Sequence, residues 1–278
     1  NQWQRGIATA AVDYNLQELS ERLRVDAERV IAHLEEGGKV SDESISRKLN
    51  RVNEGCRTMN ENIYSQAVEW LSKGKIVGLV GGDHSTPYGL IRALGERFSR
   101  FGILHIDAHC DLRIAYEGFE FSHASIMHNV LRDIEQVERL VEVGVRDFCD
   151  MEYERAQSDE RIVMFDDAKL SKEEFEGCSW QAQCRKIIES LPEDVYISFD
   201  IDGLSPENCP HTGTPVPGGL SFNKACYLIE QIVEAGRRII GFDVVEVASK
   251  AEERTDEIVG ARVLYKLSMQ ALKSNPKR

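Results

Sequence analysis

The sequence predicts an α/β fold built on a mostly parallel sheet covered by helices. Two observations carry that expectation. Short apolar, β-branched runs recur at residues 76–80, 102–106, 140–145, 161–165, 195–199 and 239–245, and longer helix-like stretches alternate with them. Strands that alternate with helices form parallel sheets. The runs are also apolar along their length instead of on every second residue, as expected of strands buried on both faces.

Taken in order, residues 16–34 carry Leu16, Leu19, Leu23, Val25, Val30, Ile31 and Leu34 among many charges, the pattern of an amphipathic helix. Residues 37–53 are polar and read as a connector or a second helix. Further helices are expected over 58–72, before the first strand, and over 87–98, 124–140, 172–190, 223–235 and 255–272, between and after the strands. There is no internal repeat and no composition break. Residues 1–278 are read as a single domain, in which 1–57 form a divergent helical N-terminal region.

A chain of 278 residues, 42% hydrophobic, has enough apolar material for a sizeable core. Its net charge of −13 argues against nucleic acid or an anionic membrane as partner and weakly favours a cationic substrate. No apolar run approaches the length of a membrane span. The seven cysteines are scattered, odd in number and form no CxxC pair. That pattern suits free thiols in a reducing, cytoplasmic setting, and neither a disulfide framework nor a zinc ribbon.

Three strand ends carry the chemistry. Gly81-Gly82-Asp83-His84-Ser85 follows the first run, Asp107-Ala108-His109-Cys110-Asp111 the second, and Asp200-Ile201-Asp202 the fifth. In an open α/β sheet, ligands bind at the carboxyl ends of the strands. An extended segment places residues i and i+2 on one side, so Asp107, His109 and Asp111 can aim at a common point, as can Asp200 and Asp202. Four carboxylates and two imidazoles, His84 and His109, suit hard divalent cations. Four carboxylates converging without cations would repel one another strongly. The set exceeds what one ion needs, which suggests two ions sharing ligands.

The segments GGDHS, DAHCD and SFDIDGLSP are similar, in this order, to the three signatures of the ureohydrolase family, which comprises arginase, agmatinase, guanidinobutyrase and formimidoylglutamase. The likeness covers residues 76–272. The stretch HTGTPVPGGLS, residues 211–221, resembles agmatinases in particular. The resemblance implies an arginase-like three-layer α/β/α fold, a dinuclear Mn²⁺ site with Ni²⁺ or Co²⁺ as possible substitutes, and a homo-oligomer, a trimer or hexamer. It also implies metal ligation by His84, Asp107, His109, Asp111, Asp200 and Asp202. The ions would activate a water for attack on a guanidinium carbon. Asp111 would pass a proton to the leaving amine, His123 would shuttle protons or bind substrate, and Glu246 would pair the guanidinium.

The implied activity is release of urea from a small guanidino substrate, with agmatine as the leading candidate. The alternatives are arginase, guanidinobutyrase or formimidoylglutamase activity on the same metals, or a non-catalytic scaffold. The likeness thins in the N-terminal third, where the family's Gly/Pro-rich opening strand and loop are not found. Arg113 is read either as a holder of a substrate carboxylate or as the structural partner of an acidic residue, with the second preferred. His105, inside a strand, is expected to be a satisfied core histidine. Cys110 is also assigned to the core, and His33, His128 and His211 are assigned structural roles.

Overall fold

The structure is a computed structural model that describes residues 2–276. Its six strands are β1 (Val77–Val80), β2 (Phe101–Ile106), β3 (Val137–Val143), β4 (Ile162–Phe165), β5 (Asp194–Phe199) and β6 (Arg238–Val244). They form one sheet in the order β1-β6-β5-β2-β3-β4, and every pairing is parallel. The helices are α1 (Tyr14–Glu35), α2 (Glu43–Ser72), α3 (Tyr88–Arg97), α4 (Ile126–Asp133), α5 (Asp150–Ser158), α6 (Asp167–Phe175), α7 (Trp180–Glu189), α8 (Phe222–Glu234) and α9 (Thr255–Ser274).

Alternate strand residues feed two cores. Ile103, Leu140 and Tyr196 pack under Leu90, Leu94, Ile126 and Val130 of α3 and α4. Leu104, Val141 and Ile197 pack under Ile187, Leu228, Ile229 and Leu267 of α7, α8 and α9. The result is the expected three-layer α/β/α sandwich.

Several element boundaries differ from expectation. The helix expected over 124–140 ends at Asp133, and Val137 already belongs to β3. Ile134, Val137 and Leu140 have helical spacing, but Val137, Leu140 and Val141 also suit a strand. Pairing with β2, where Phe101 sits opposite Val137, decides between them. The helix expected over 172–190 is two helices. Gly177, at φ +97, turns the chain after α6. The Ser179 side chain then accepts from the Ala182 amide and caps α7. Helix α5 was not anticipated because it is nearly all polar, with only Glu152 and Ala156 buried.

The N-terminal region is helical as expected, but its second helix is longer. Helix α2 begins at Glu43, where a connector was the alternative, and runs unbroken to Ser72. Val30 of α1 packs on Ile45 and Leu49 of α2. The first strand is also not buried on both faces. β1 lies at the sheet edge, alternates between half-buried and exposed residues, and leaves Val80 67% exposed.

This topology places the three motifs together. From β2 the chain builds outward through β3 to β4, then returns to lay β5 on the other side of β2. The crevice at such a reversal is the usual ligand site of open α/β sheets. Asp107 and Asp200 leave neighbouring strands there, with the Asp200 amide bonded to Ile106 O at 3.0 Å. Close backbone approach is built in at Gly203, where a Cβ would lie 2.7 Å from the Asp107 nitrogen.

A second close approach sets the seating of α3 on α2. A Cβ on Gly89 would lie 2.4 Å from Asn60 O and 2.8 Å from Tyr64 N, both backbone atoms of α2. Gly89→Ala is therefore expected to lower stability by ~1–3 kcal/mol, the usual cost of overpacking. Urea denaturation should show a lower midpoint with an unchanged slope.

Candidate metal centre

The first motif leaves β1 in a tight turn. Asp83 Oδ1 accepts from the Ser85 amide at 2.9 Å and from Ser85 Oγ at 2.5 Å, and this local turn directs His84 inward to 1% exposure. His84 Nε2 lies 2.8 Å from Ser198 Oγ, and Ser198 donates to Asp243 Oδ2 at 2.9 Å. Asp243 is held in turn by the Tyr196 hydroxyl and the Phe199 amide. Because the Ser198 proton goes to Asp243, the hydroxyl oxygen is left to accept Nε2–H. The ring nitrogen facing the crevice is then Nδ1, as a metal ligand requires.

That Nδ1 is buried and has no hydrogen-bond partner of good geometry. Three carboxylate oxygens surround it, Asp107 Oδ2 at 2.9 Å, Asp111 Oδ2 at 3.1 Å and Asp200 Oδ2 at 3.2 Å. An octahedral ion with bonds of about 2.1 Å separates adjacent ligands by about 3.0 Å. The spacing is that of donors around an ion. A second group lies alongside, with His109 Nδ1 3.3 Å from both Asp107 Oδ1 and Asp202 Oδ2. Asp107 thus turns one oxygen toward each group, the arrangement of a bridging carboxylate. All six expected ligand residues fall in these two groups, and the donor set fits two divalent ions.

The backbone around these ligands is closely specified. The His109 amide donates to Asp107 Oδ1 at 2.6 Å, and the Ala108 amide donates to Asp202 Oδ1 at 3.1 Å. Asp200 caps the short turn Ile201–Gly203 by accepting from the Asp202 amide at 2.9 Å. Asp111 adopts φ +54, a left-handed conformation, and its carbonyl accepts from the Met127 and His128 amides at the start of α4.

Burial alone would push His84 down, but the carboxylates of Asp107, Asp111 and Asp200 crowded against Nδ1 outweigh it and hold His84 well above its ordinary value. His109 behaves alike, with burial opposed by Asp107 and Asp202 and the ring pushed up to about 11. Burial and the Asp107 charge push Asp111 up. Burial, Asp107 and Asp202 push Asp200 well up. Without cations, then, protons neutralise this cluster. Ligation needs the deprotonated forms, so metal binding must release protons and weaken as pH falls. Calorimetric titration in two buffers of different ionisation enthalpy should show net proton release at neutral pH. A heat independent of buffer would contradict this electrostatic picture.

The remaining expected residues are distributed unevenly. Glu246, at φ +59 just beyond β6, accepts from the His84 amide through Oε1 at 2.9 Å. Burial pushes its carboxyl up to about 7. It therefore borders the His84 group. His123 is exposed at the rim, its ring 5.9 Å from that of Tyr116 in an edge-on arrangement. No hydrogen bond or ion pair joins it to the ligand groups among the described residues. Arg113 Nε lies 3.5 Å from Glu152 Oε2, and its guanidinium lies over Tyr116. That is the structural pairing preferred from sequence. Cys110 is buried in the core. His33 pairs with Asp42, and His211 pairs with Glu253 and Asp256.

Sequence reasoning missed the residues behind the ligands. Ser198 and Asp243 were not singled out, and His105 was regarded as an ordinary core histidine. His105 is fully buried, but its Nε2 lies 2.9 Å from Asp107 Oδ2. The available signal was a polar residue inside an apolar strand, two positions before a ligand in the cases of His105 and Ser198.

With the geometry in place, likeness to known proteins adds the lineage. The profile of the arginase family matches residues 8–269. The N(1)-aminopropylagmatine ureohydrolase of Thermus thermophilus is 30% identical over 212 residues, 76% of this chain and 68% of that protein. The agmatinase of Edwardsiella ictaluri is 31% identical over 210 residues, 75% of this chain and 64% of its own. Among solved structures, the proclavaminate amidino hydrolase of Streptomyces clavuligerus superposes with a TM-score of 0.67, at 24% identity, covering 80% of this chain and 72% of that one. The chain belongs to the arginase family, and it is a metal-dependent hydrolase of that family.

Proposed function

We propose that this arginase-family chain holds two divalent ions, manganese by preference, and releases urea from a guanidino amine, with agmatine as the leading substrate. The observation that carries the reading is the shared carboxylate. Asp107 presents one oxygen to the His84 group, with Asp111 and Asp200, and the other to His109, which also faces Asp202. Nitrogen and oxygen donors without a thiolate suit Mn²⁺, and Ni²⁺ or Co²⁺ would fit the same set. When bound, two such ions supply Lewis acidity and a water of lowered pKa.

The chain's own groups do the rest. Glu246, half-buried beside His84, is placed to pair a guanidinium, whose planar fork matches two carboxylate oxygens. Water adds to the guanidinium carbon, the C–N bond to the alkyl chain breaks, and the leaving amine takes a proton. Asp111, among the carboxylates around His84 Nδ1, is the nearest candidate to take a proton from the attacking water and hand it over to the amine. His123, exposed at the rim, is the candidate to exchange it with solvent. Two features favour a cationic tail. Arg113 is committed to Glu152. Asp147, 4.0 Å from His109 Nε2, leaves an exposed carboxylate at the mouth. Seven unpaired thiols accord with a cytoplasmic setting. The family resemblance adds a homo-oligomer, trimeric or hexameric.

Elemental analysis after Mn²⁺ loading and desalting should find close to two ions per chain. Urea release from agmatine should stop on chelation and return with Mn²⁺. A protein that retains no metal would sink the proposal.

Arg113 separates the substrate classes. With its charge directed at Glu152, Arg113→Ala should change rates on agmatine, arginine and guanidinobutyrate by a common factor. A selective loss on the two acids, by ~1.5–3 kcal/mol as for a charged hydrogen bond, would mean that Arg113 binds a carboxylate. The substrate would then be a guanidino acid.

A further inference from the structure

One rung of polar side chains crosses the apolar sheet directly beneath the metal centre. Glu142 on β3 pairs in register with His105 on β2, and His105 pairs with Ser198 on β5. Ser198 donates to Asp243 on β6. All four residues are fully buried. Half of the rung is explained, since Asp243 and Ser198 hold His84. The other half, Glu142 and His105, has no part in the chemistry described above.

Glu142 is poorly suited to a structural role. Neither of its carboxylate oxygens has a hydrogen-bond partner. Its register neighbour on β4 is Met164, and the core on that face of the sheet is apolar. A buried carboxylate that makes no hydrogen bond is destabilising, and an apolar residue of similar volume would serve the core better. Among the described residues, the ion-pair partner within 4 Å of Glu142 is His105, whose Nδ1 lies 3.9 Å from Oε1. Any influence it has on the site passes through that ring.

His105 in turn touches the carboxylate that both groups share. Asp107 Oδ1 is fixed by the His109 amide at 2.6 Å. Asp107 Oδ2 faces His84 Nδ1, itself a ligand position, and His105 Nε2 at 2.9 Å. His105, which also stands within ligand distance of His84, Asp107 and Asp111, reaches Oδ2 from inside strand β2 and can hold it in place. We infer that Glu142 and His105 are a buried positioning pair, with Glu142 orienting the His105 ring from 3.9 Å and His105 holding the Asp107 carboxylate with one oxygen toward each group.

The inference rests on the dinuclear reading, and the test separates the two. Chelator-stripped wild type, Glu142→Met and Glu142→Gln are titrated with Mn²⁺ by calorimetry, and the stripped proteins are melted in parallel. Outer partners of metal ligands typically contribute 10–100-fold in affinity. Glu142→Met should still bind two ions, at least one of them 10–100-fold more weakly, while its metal-free form melts at or above the wild-type temperature. Glu142→Gln keeps the volume and an acceptor for the ring, and should bind close to wild type. Opposite movement of metal affinity and metal-free stability is the signature that a purely structural residue would not produce. Wild-type Mn²⁺ affinity in Glu142→Met would overturn the inference. So would a Glu142→Met protein that fails to fold, or one that loses metal-free stability with both affinities intact. His105→Phe provides an independent arm, with loss of affinity expected and complete loss of one ion assigning His105 as a ligand instead. Wild type that binds no Mn²⁺ would count against the proposed function, whatever the variants do.

Discussion

Repulsion among four buried carboxylates constrains this molecule more than any other interaction. Asp107, Asp111, Asp200 and Asp202 are each less than 5% exposed and meet at the ends of two adjacent strands. Like charges at such distances cannot all stay ionised without compensating cations. The chain supplies part of that compensation as His84 and His109, and leaves the rest to protons or metal. A fold that holds such a cluster needs a frame that does not relax when the charges push apart. Parallel strands buried on both faces provide it, and the ligands stand on strand ends and short turns instead of long loops.

Secondary contacts extend the frame outward. Arg146, beyond β3, donates to the carbonyls of Gly144, Asp202, Leu204 and Val216. One guanidinium thus ties the turn after β5 to the loop that carries residues 211–221. Gly218 and Gly219, both at positive φ, let that loop close over it, because a Cβ at Gly219 would lie 2.7 Å from Arg146 Nη2. A ligand set whose supporting groups are themselves held can keep its geometry to the tolerance that chemistry needs.

The catalytic half of this architecture was legible in the sequence because its signals are local. Strands β2 and β5 are apolar runs that end in Asp-x-His or Asp-x-Asp, and both the strand and the ligand parity can be counted off the residues. The convergence of the candidate ligands Asp107, His109, Asp111, Asp200 and Asp202 was legible for that reason. What failed to show was non-local. The boundary between α4 and β3 depends on pairing with β2, as Val137 has acceptable helical spacing. The rung of Glu142, His105, Ser198 and Asp243 comes from four strands whose order is not written in sequence. Helix α5 escaped because it buries only two residues. The half-exposed state of β1 could not be read from its composition, since an edge strand with aliphatic side chains looks like a central one.

The rim of the site depends on the N-terminal helices, which lie within the span matched by the family profile. The segment from Tyr116 to Glu120 carries the aromatic ring that His123 touches and Arg113 lies over. Helix α2 holds that segment. Asn53 donates to Gly118 O and accepts from the Glu120 amide, and Arg57 pairs with Glu120. Phe119 packs on Val30, Ile45 and Leu49, the small core between α1 and α2. Gly118, at φ +86, lies so close to Leu49 that a Cβ would approach its Cδ2 to 2.6 Å. Among the described residues, the six candidate ligands make no hydrogen bond or ion pair with α1 or α2, and rest on the sheet and its own turns. The two parts of the site therefore have separate supports. Changes in the N-terminal helices reach Tyr116 and His123 through direct packing, whereas they reach Asp107 only through the whole sheet. Substitutions in the helical pair can therefore reshape what enters the crevice while the carboxylate cluster stays as the sheet dictates.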